Sequence, residues 1–176
     1  MSSHPPRLRN FAYIGRYRYF LTFSTYQRRA VFIDAATFDL LRAQFLRSST
    51  EYCIAVDAYC AMPDHVHALA YGVSACADLR AFMRDLKQRA AWEYRQRTGL
   101  RLWQGSYYDH VLRDDEGIDG VIKYILDNPV RGRLVEKPED YPFWDSLTQT
   151  REGLLAFVRG AGDWKPSPRV DVWVKP

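Results

Sequence analysis

Cysteine and histidine are scarce in this chain of 176 residues, with three of the former and four of the latter. Cys53, Cys60 and Cys76 are odd in number and form no C-x-x-C pair. That argues against a disulfide framework or a cysteine-based zinc knuckle, and the three read as reduced, packed residues. No apolar stretch approaches membrane-spanning length, and the opening "MSSHPPRLRN" lacks the apolar run of a secretion signal. A cytoplasmic chain with no membrane partner is therefore expected. Internal repeats and low-complexity blocks are also missing, which excludes solenoids and arrays.

What remains is the composition of one globular domain. Apolar residues make up 47% of the chain, enough to bury a sizeable core at this length. Lys and Arg number 25 against 21 Asp and Glu, a net charge of +4. This modest excess favours an acidic partner, nucleic acid first, without establishing one.

Residues 1–10 read as a loose basic arm. "RYRYFLTFSTYQ" alternates around Tyr17, Tyr19, Leu21 and Phe23, as a half-buried strand does. A helix is expected from Asp34 as N-cap to about Ser48, with Phe38, Leu41 and Phe45 facing inward. "YCIAVDAYCAM" and "HVHALAYG" form an antiparallel pair across a Met62-Pro63-Asp64 turn. The longest helix should run from near Ala77 to Thr98, with Gly99 as its stop. On it, Leu79, Phe82, Met83, Leu86 and Ala90 form the core stripe, beside a basic stripe of Arg80, Arg84 and Lys87. "LWQGSYYDHVLR" is a fourth strand. Asp114 or Asp115 should cap a last helix, which Pro129 ends near Asn128. The order β-α-β-β-α-β predicts an α+β, ferredoxin-like antiparallel sheet with helices on one face, followed by one more helix and an irregular tail from Tyr141. The expected domain is residues 1–146, with 147–176 as a C-terminal extension.

The stretch "AMPDHVHALA" carries the chemistry. Side chains at i and i+2 of a strand share a face, so His65 and His67 can present two imidazoles to one ion. Alone the pair is a weak motif, equally readable as two polar residues on a solvated face. Zinc would want further His or Cys ligands, and His4 and His110 are poor candidates. Mg²⁺ or Mn²⁺ needs fewer protein ligands, because water and phosphate oxygens complete the shell. Leading into and through "VIKYILDNPV", Ile118, Val121, Ile122 and Ile125 make an apolar stripe. Tyr124 lies about 110° from its centre and Asn128 about 70°, on the same shoulder. The bland reading is a rim tyrosine beside a helix end. With the histidine pair it becomes a phenol next to a metal that grips phosphate, an apparatus for attack on a phosphodiester.

"MPDHVH", "LWQGSYYDHVLRDDE", "YILDNPVRGRLV" and "DYPFWDS" occur in the order and at about the spacing found in the REP-associated tyrosine transposases. The chain resembles that family from Tyr17 to Ser146. These are bacterial relatives of the single-tyrosine HUH transposases, which mobilise insertion sequences as single strands. The resemblance implies a ferredoxin-like fold and a divalent cation, Mg²⁺ or Mn²⁺. It implies as partner a DNA hairpin of the repetitive extragenic palindrome type with a single-stranded flank, and a nucleoid-associated location. Position by position, it makes His65 and His67 the metal pair, Tyr124 the nucleophile and Asn128 the residue completing the metal site. "PFWDS" departs from the paired serines usual there, which leaves a local loop contact open. The implied activity is single-strand cleavage and strand transfer through a 5′-phosphotyrosine. Two alternatives stay open: a domesticated hairpin-binding protein with little or no cleavage, and a metal-dependent hydrolase of small phosphoesters. For substrate grip, Arg7, Arg9, Arg16, Arg18, Arg80, Arg84 and Lys87 are candidate phosphate contacts. Tyr17, Tyr19, Trp103, Tyr107 and Tyr108 are candidate stacking platforms, each with an ordinary core or rim reading beside it. Relatives include dimers and monomers; a monomer is expected.

Overall fold

The structure, a computed structural model, describes residues 11–113 and 116–165. The basic arm with Arg7 and Arg9, both candidate caps Asp114 and Asp115, and the end of the tail lie outside these residues.

Five antiparallel strands form one sheet: β1 (Arg18–Ser24), β2 (Ile54–Met62), β3 (His65–Gly72), β4 (Tyr108–Val111) and β5 (Trp144–Asp145), in the order β4-β1-β3-β2-β5. Leaving out the two-residue β5, this is the ferredoxin-like arrangement. Alternation on β1 sorts its side chains to two cores. Tyr19, Leu21 and Phe23 join the cluster under helices α1 (Ala35–Tyr52) and α2 (Leu79–Thr98), whereas Phe20 joins the one under α3 (Ile118–Arg131). The first two helices thus cover one face, and α3 covers the other together with α4 (Arg151–Val158), which contributes Leu154.

The caps explain the helix ends. Asp34 accepts from Thr37 N at 2.8 Å and Asp78 from Ala81 N at 3.0 Å, so α2 starts two residues after the expected Ala77. Gly99, at φ 73°, closes α2 as expected. Helix α1 continues four residues past Ser48, to a left-handed Cys53. Strand β4 is shorter than "LWQGSYYDHVLR" suggests. Trp103 makes only an isolated bridge to Thr25, and Lys87 fastens the connector by donating to Gln104 O and Ser106 O at 3.0 and 2.8 Å.

Helix α3 does not stop at Asn128; it runs through Pro129 to Arg131. A proline restricts the residue before it and removes one N–H, but burial of its ring offsets that loss. The carbonyls around it are used: Asn128 Nδ2 donates to Tyr124 O at 2.7 Å, and Gly132 N to Asn128 O and Leu134 N to Pro129 O, both at 2.8 Å. The segment expected to be irregular beyond Tyr141 instead supplies β5, paired with β2, and α4, capped by Thr150.

Candidate active site

The β2–β3 hairpin turns on Pro63 and Asp64 alone, with Met62 opposite His65. The turn is pinned from outside: Val31 N and Phe32 N donate to Pro63 O at 2.7 and 3.0 Å, and Thr25 N to Asp64 O at 2.9 Å. His65 and His67 therefore leave β3 from a fixed base, toward the α3 face. Their Nε2 atoms approach to 3.1 Å.

Each imidazole is oriented through its other nitrogen. Asp64 Oδ1 accepts from His65 Nδ1 at 2.6 Å, and its Oδ2 pairs with Arg28 Nε at 2.8 Å. Burial pushes the Asp64 carboxyl up, but the His65 hydrogen bond and the charges of His65 and Arg28 bring it below the ordinary value. It is the carboxylate, the acceptor that keeps a proton on His65 Nδ1 and turns Nε2 outward. Thr22 Oγ1, on the neighbouring strand, lies 2.9 Å from His67 Nδ1 and can serve either tautomer, since a hydroxyl donates and accepts. His67 is 5% exposed. Burial first, then the charges of His65, Arg131 and Arg28, holds its pKa well below the usual 6.5, so the ring is neutral, as a metal ligand must be.

Helix α3 crosses this face. The Tyr124 ring stands edge-on to His67, with centroids 6.0 Å apart, and to Phe20 at 5.8 Å. One turn later Asn128 uses its Nδ2 on the Tyr124 carbonyl, which leaves Oδ1 as the end carrying lone pairs. A Cβ on Gly132, a further turn along, would lie 3.0 Å from Met62 Cε, at the strand position facing His65. Asn128 lies along the chain between Tyr124, which meets His67, and Gly132, which lies against Met62. The Arg131 guanidinium lies over the Tyr124 ring, 4.5 Å from its centroid.

The two imidazoles are borderline donors, and the Asn128 amide oxygen is a hard one. Two ligands about 2.1 Å from an octahedral ion and at right angles are about 3.0 Å apart, close to the separation of the two Nε2 atoms. Among the described residues there is no group of three or more His, Cys, Asp or Glu able to hold a metal. Two imidazoles are fewer protein ligands than a closed zinc site uses.

The segment after α4 reaches the same place. Trp164 packs on Tyr124 (5.3 Å), Phe20 (5.1 Å) and His110 (6.3 Å), and its Nε1 donates to Glu116, which also binds His110. Lys123 pairs with Asp163, and a cleft of about 440 Å³ lies between α3 and this segment, lined by Tyr124, Arg131 and Trp164. The sequence offered no sign of this contact.

The other candidate residues are scattered. Arg16 and Tyr17 are exposed near the start of β1, and Arg18 stacks on Tyr71. Arg80, stacked on Tyr13, and Arg84 are exposed on α2, across the sheet from the histidines. Lys87 is engaged by the connector. Tyr19, Trp103, Tyr107 and Tyr108 are buried, so their rings pack into the protein and are not presented for stacking. Sequence reasoning missed Thr22, Arg28, Asp64 and Arg131. Asp64, adjacent to His65 in the turn, and Arg131, seven residues after Tyr124 on the same helix face, carried a usable signal; Thr22 depends on strand register.

A ferredoxin-like sheet with a paired-imidazole strand facing a helix-borne tyrosine defines the HUH class of DNA-processing proteins. Residues 14–128 match the family described as "Transposase IS200 like", ending at Asn128, and the chain belongs to that family. It is 23% identical over 152 residues to the REP-associated tyrosine transposase of Escherichia coli K12, covering 86% of this chain and 88% of that protein. It is 26% identical over 113 residues to a Haemophilus influenzae protein named for the same group, covering 58% of this chain and 64% of that one, just under two thirds of its length. A REP-associated tyrosine transposase solved bound to a REP hairpin has the same fold, with a TM-score of 0.69, 22% identity and 92% of each chain covered. None of the described helices is long and apolar enough to cross a membrane.

Proposed function

We propose that this transposase is a metal-dependent single-strand DNA endonuclease and strand transferase, acting on REP-type hairpins through a covalent 5′-phosphotyrosine. One observation carries the reading: two imidazoles with their Nδ1 atoms tied back and their Nε2 atoms 3.1 Å apart, beside the Tyr124 ring. His65, His67 and Asn128 Oδ1 would hold Mg²⁺ or Mn²⁺, which when bound offsets charge building on the scissile phosphate. Tyr124 Oη attacks the phosphorus, its proton passing to water. The bond to the 3′ oxygen breaks, that oxygen takes up a proton, and the 5′ phosphate remains on the phenol. Attack by another 3′-hydroxyl reverses these steps and joins strands. Arg131, over the Tyr124 ring, supplies a fixed positive charge where the phosphate must come. The hairpin substrate is supported by the relatives' names and the hairpin-bound neighbour, and the basic excess of the chain is compatible with it.

The test is a labelled REP hairpin with a single-stranded flank, incubated with Mn²⁺ and run on a denaturing gel. Wild type should form a protein–DNA adduct and Tyr124→Phe none, with hairpin affinity retained. Digestion should leave the nucleotide on the peptide "YILDNPVR". Product without an adduct means hydrolysis, a shift without cleavage means a binding protein, and a nucleotide on another tyrosine removes Tyr124 from the chemistry.

A further inference from the structure

Trp92 is 67% exposed on the outer face of α2, an unusual place for the side chain with most apolar area to bury. It lines a cleft of about 550 Å³ between the end of α2 and residues 99–102, with Ala91, Leu100, Arg95 and Arg101. No acidic residue lines this cleft, and among the described residues neither arginine has a carboxylate partner. An exposed indole flanked by unneutralised guanidiniums has the chemistry of a single-strand stacking platform. The alternative occupant, a second copy of this chain, would bring the same arginines of two copies together with no acid between them.

The cleft is joined to the candidate active site by a short chain of contacts. Arg101 lies over the Tyr26 ring, 4.5 Å from its centroid, and Tyr26 N donates to Leu102 O at 2.8 Å. Two residues on, Arg28 pairs with Asp64, the carboxylate that holds His65. Gln27 and Arg28 are both left-handed, at φ 55°, and this strained turn directs Arg28 to Asp64. Arg95, Arg101 and Arg29, the last over the Tyr26 ring at 5.7 Å, therefore lead from Trp92 toward the Arg28–Asp64 pair beside His65.

We propose that this cleft is a second DNA-binding site, taking an unpaired base stacked on Trp92 with Arg95 on its phosphate. It rests on the reading that the substrate is DNA with single-stranded parts, and it assigns the grip on the flank to α2. The probe is a fluorescein-labelled oligothymidylate about a dozen nucleotides long, followed by anisotropy over a range of salt. Trp92→Ala should weaken binding roughly five- to a hundred-fold, and Trp92→Phe should keep most of the affinity. Arg95→Gln should reduce the slope of log affinity on log salt by about 0.7, the value for one phosphate contact on a single strand. All three changes are on the surface, and circular dichroism checks the fold. Unchanged affinity in Trp92→Ala, or no wild-type binding to the oligothymidylate, overturns the site. So does sedimentation showing a wild-type dimer that Trp92→Ala dissociates, because the face then joins two copies. Adduct formation on the hairpin separates the two readings: an adduct with Trp92-independent binding defeats only this site, whereas Trp92-dependent binding without an adduct defeats only the nuclease.

Discussion

Asp64 and Thr22 hold the inner nitrogens of the two histidines, so under the proposed function they act through metal affinity. Replacing either partner, as in Asp64→Asn or Thr22→Val, should weaken Mn²⁺ binding about 10- to 100-fold, read by calorimetry or by the electron paramagnetic resonance of free Mn²⁺. An unchanged affinity would show that the imidazoles need no orientation. His67 adds a pH dependence. Its folded pKa lies below the ordinary 6.5 because the ring is buried beside positive charge, so below 6.5 the unfolded chain binds the extra proton. The stability gained from keeping the ring neutral is complete above that pH and is lost as pH falls toward the folded value. In EDTA, the wild-type Tm should drop between about pH 7.5 and pH 5. His67→Gln, neutral throughout, should drop less; an equal drop would place the titration elsewhere.

The elements were legible to different depths. The histidine pair on one strand face, the caps Asp34 and Gly99, and the tyrosine and asparagine on one helix shoulder all follow from local periodicity. Two features did not. Pro129 reads locally as a stop, but α3 packs on the sheet and its burial outweighs a single lost hydrogen bond. Trp164 is forty residues from Tyr124 in the chain, and only tertiary packing brings its ring there. That contact is testable by chemistry at the phenol: Trp164→Ala should speed nitration of Tyr124 by tetranitromethane, quantified on "YILDNPVR", while other tyrosines stay at their wild-type rates. No change would mean that the indole does not shield the phenol. Gly72, at the end of β3, is fixed by a close approach: a Cβ there would lie 1.9 Å from Gly15 O. Gly72→Ala should cost about 2–4 kcal/mol in urea unfolding, since backbone rather than a side-chain tip must move. A loss near zero would mean that the 15–17 turn shifts freely.

At the scale of the molecule, the helices flank the sheet and separate two kinds of work. Helix α3 and the histidines lie on one face, while Arg80 and Arg84 project from α2 on the other. A DNA that touches both must pass an edge of the sheet. The sequence reading put Lys87 with these arginines, but helical spacing cannot distinguish a lysine facing solvent from one bound to a neighbouring loop. Its ammonium donates to Gln104 O and Ser106 O, so its charge is tied to the connector before β4. The three residues should therefore respond differently to substitution. Arg80→Gln with Arg84→Gln should leave Tm within about 1 °C and lower the salt slope of hairpin binding by about 1.8, at roughly 0.9 per phosphate contact on duplex DNA. Lys87→Met should do the reverse, lowering Tm by several degrees, because two carbonyls lose their donor, and barely moving the slope. A slope unchanged in the arginine pair would make the stripe an ordinary solvated helix face, and a steep slope loss in Lys87→Met would return that lysine to the DNA.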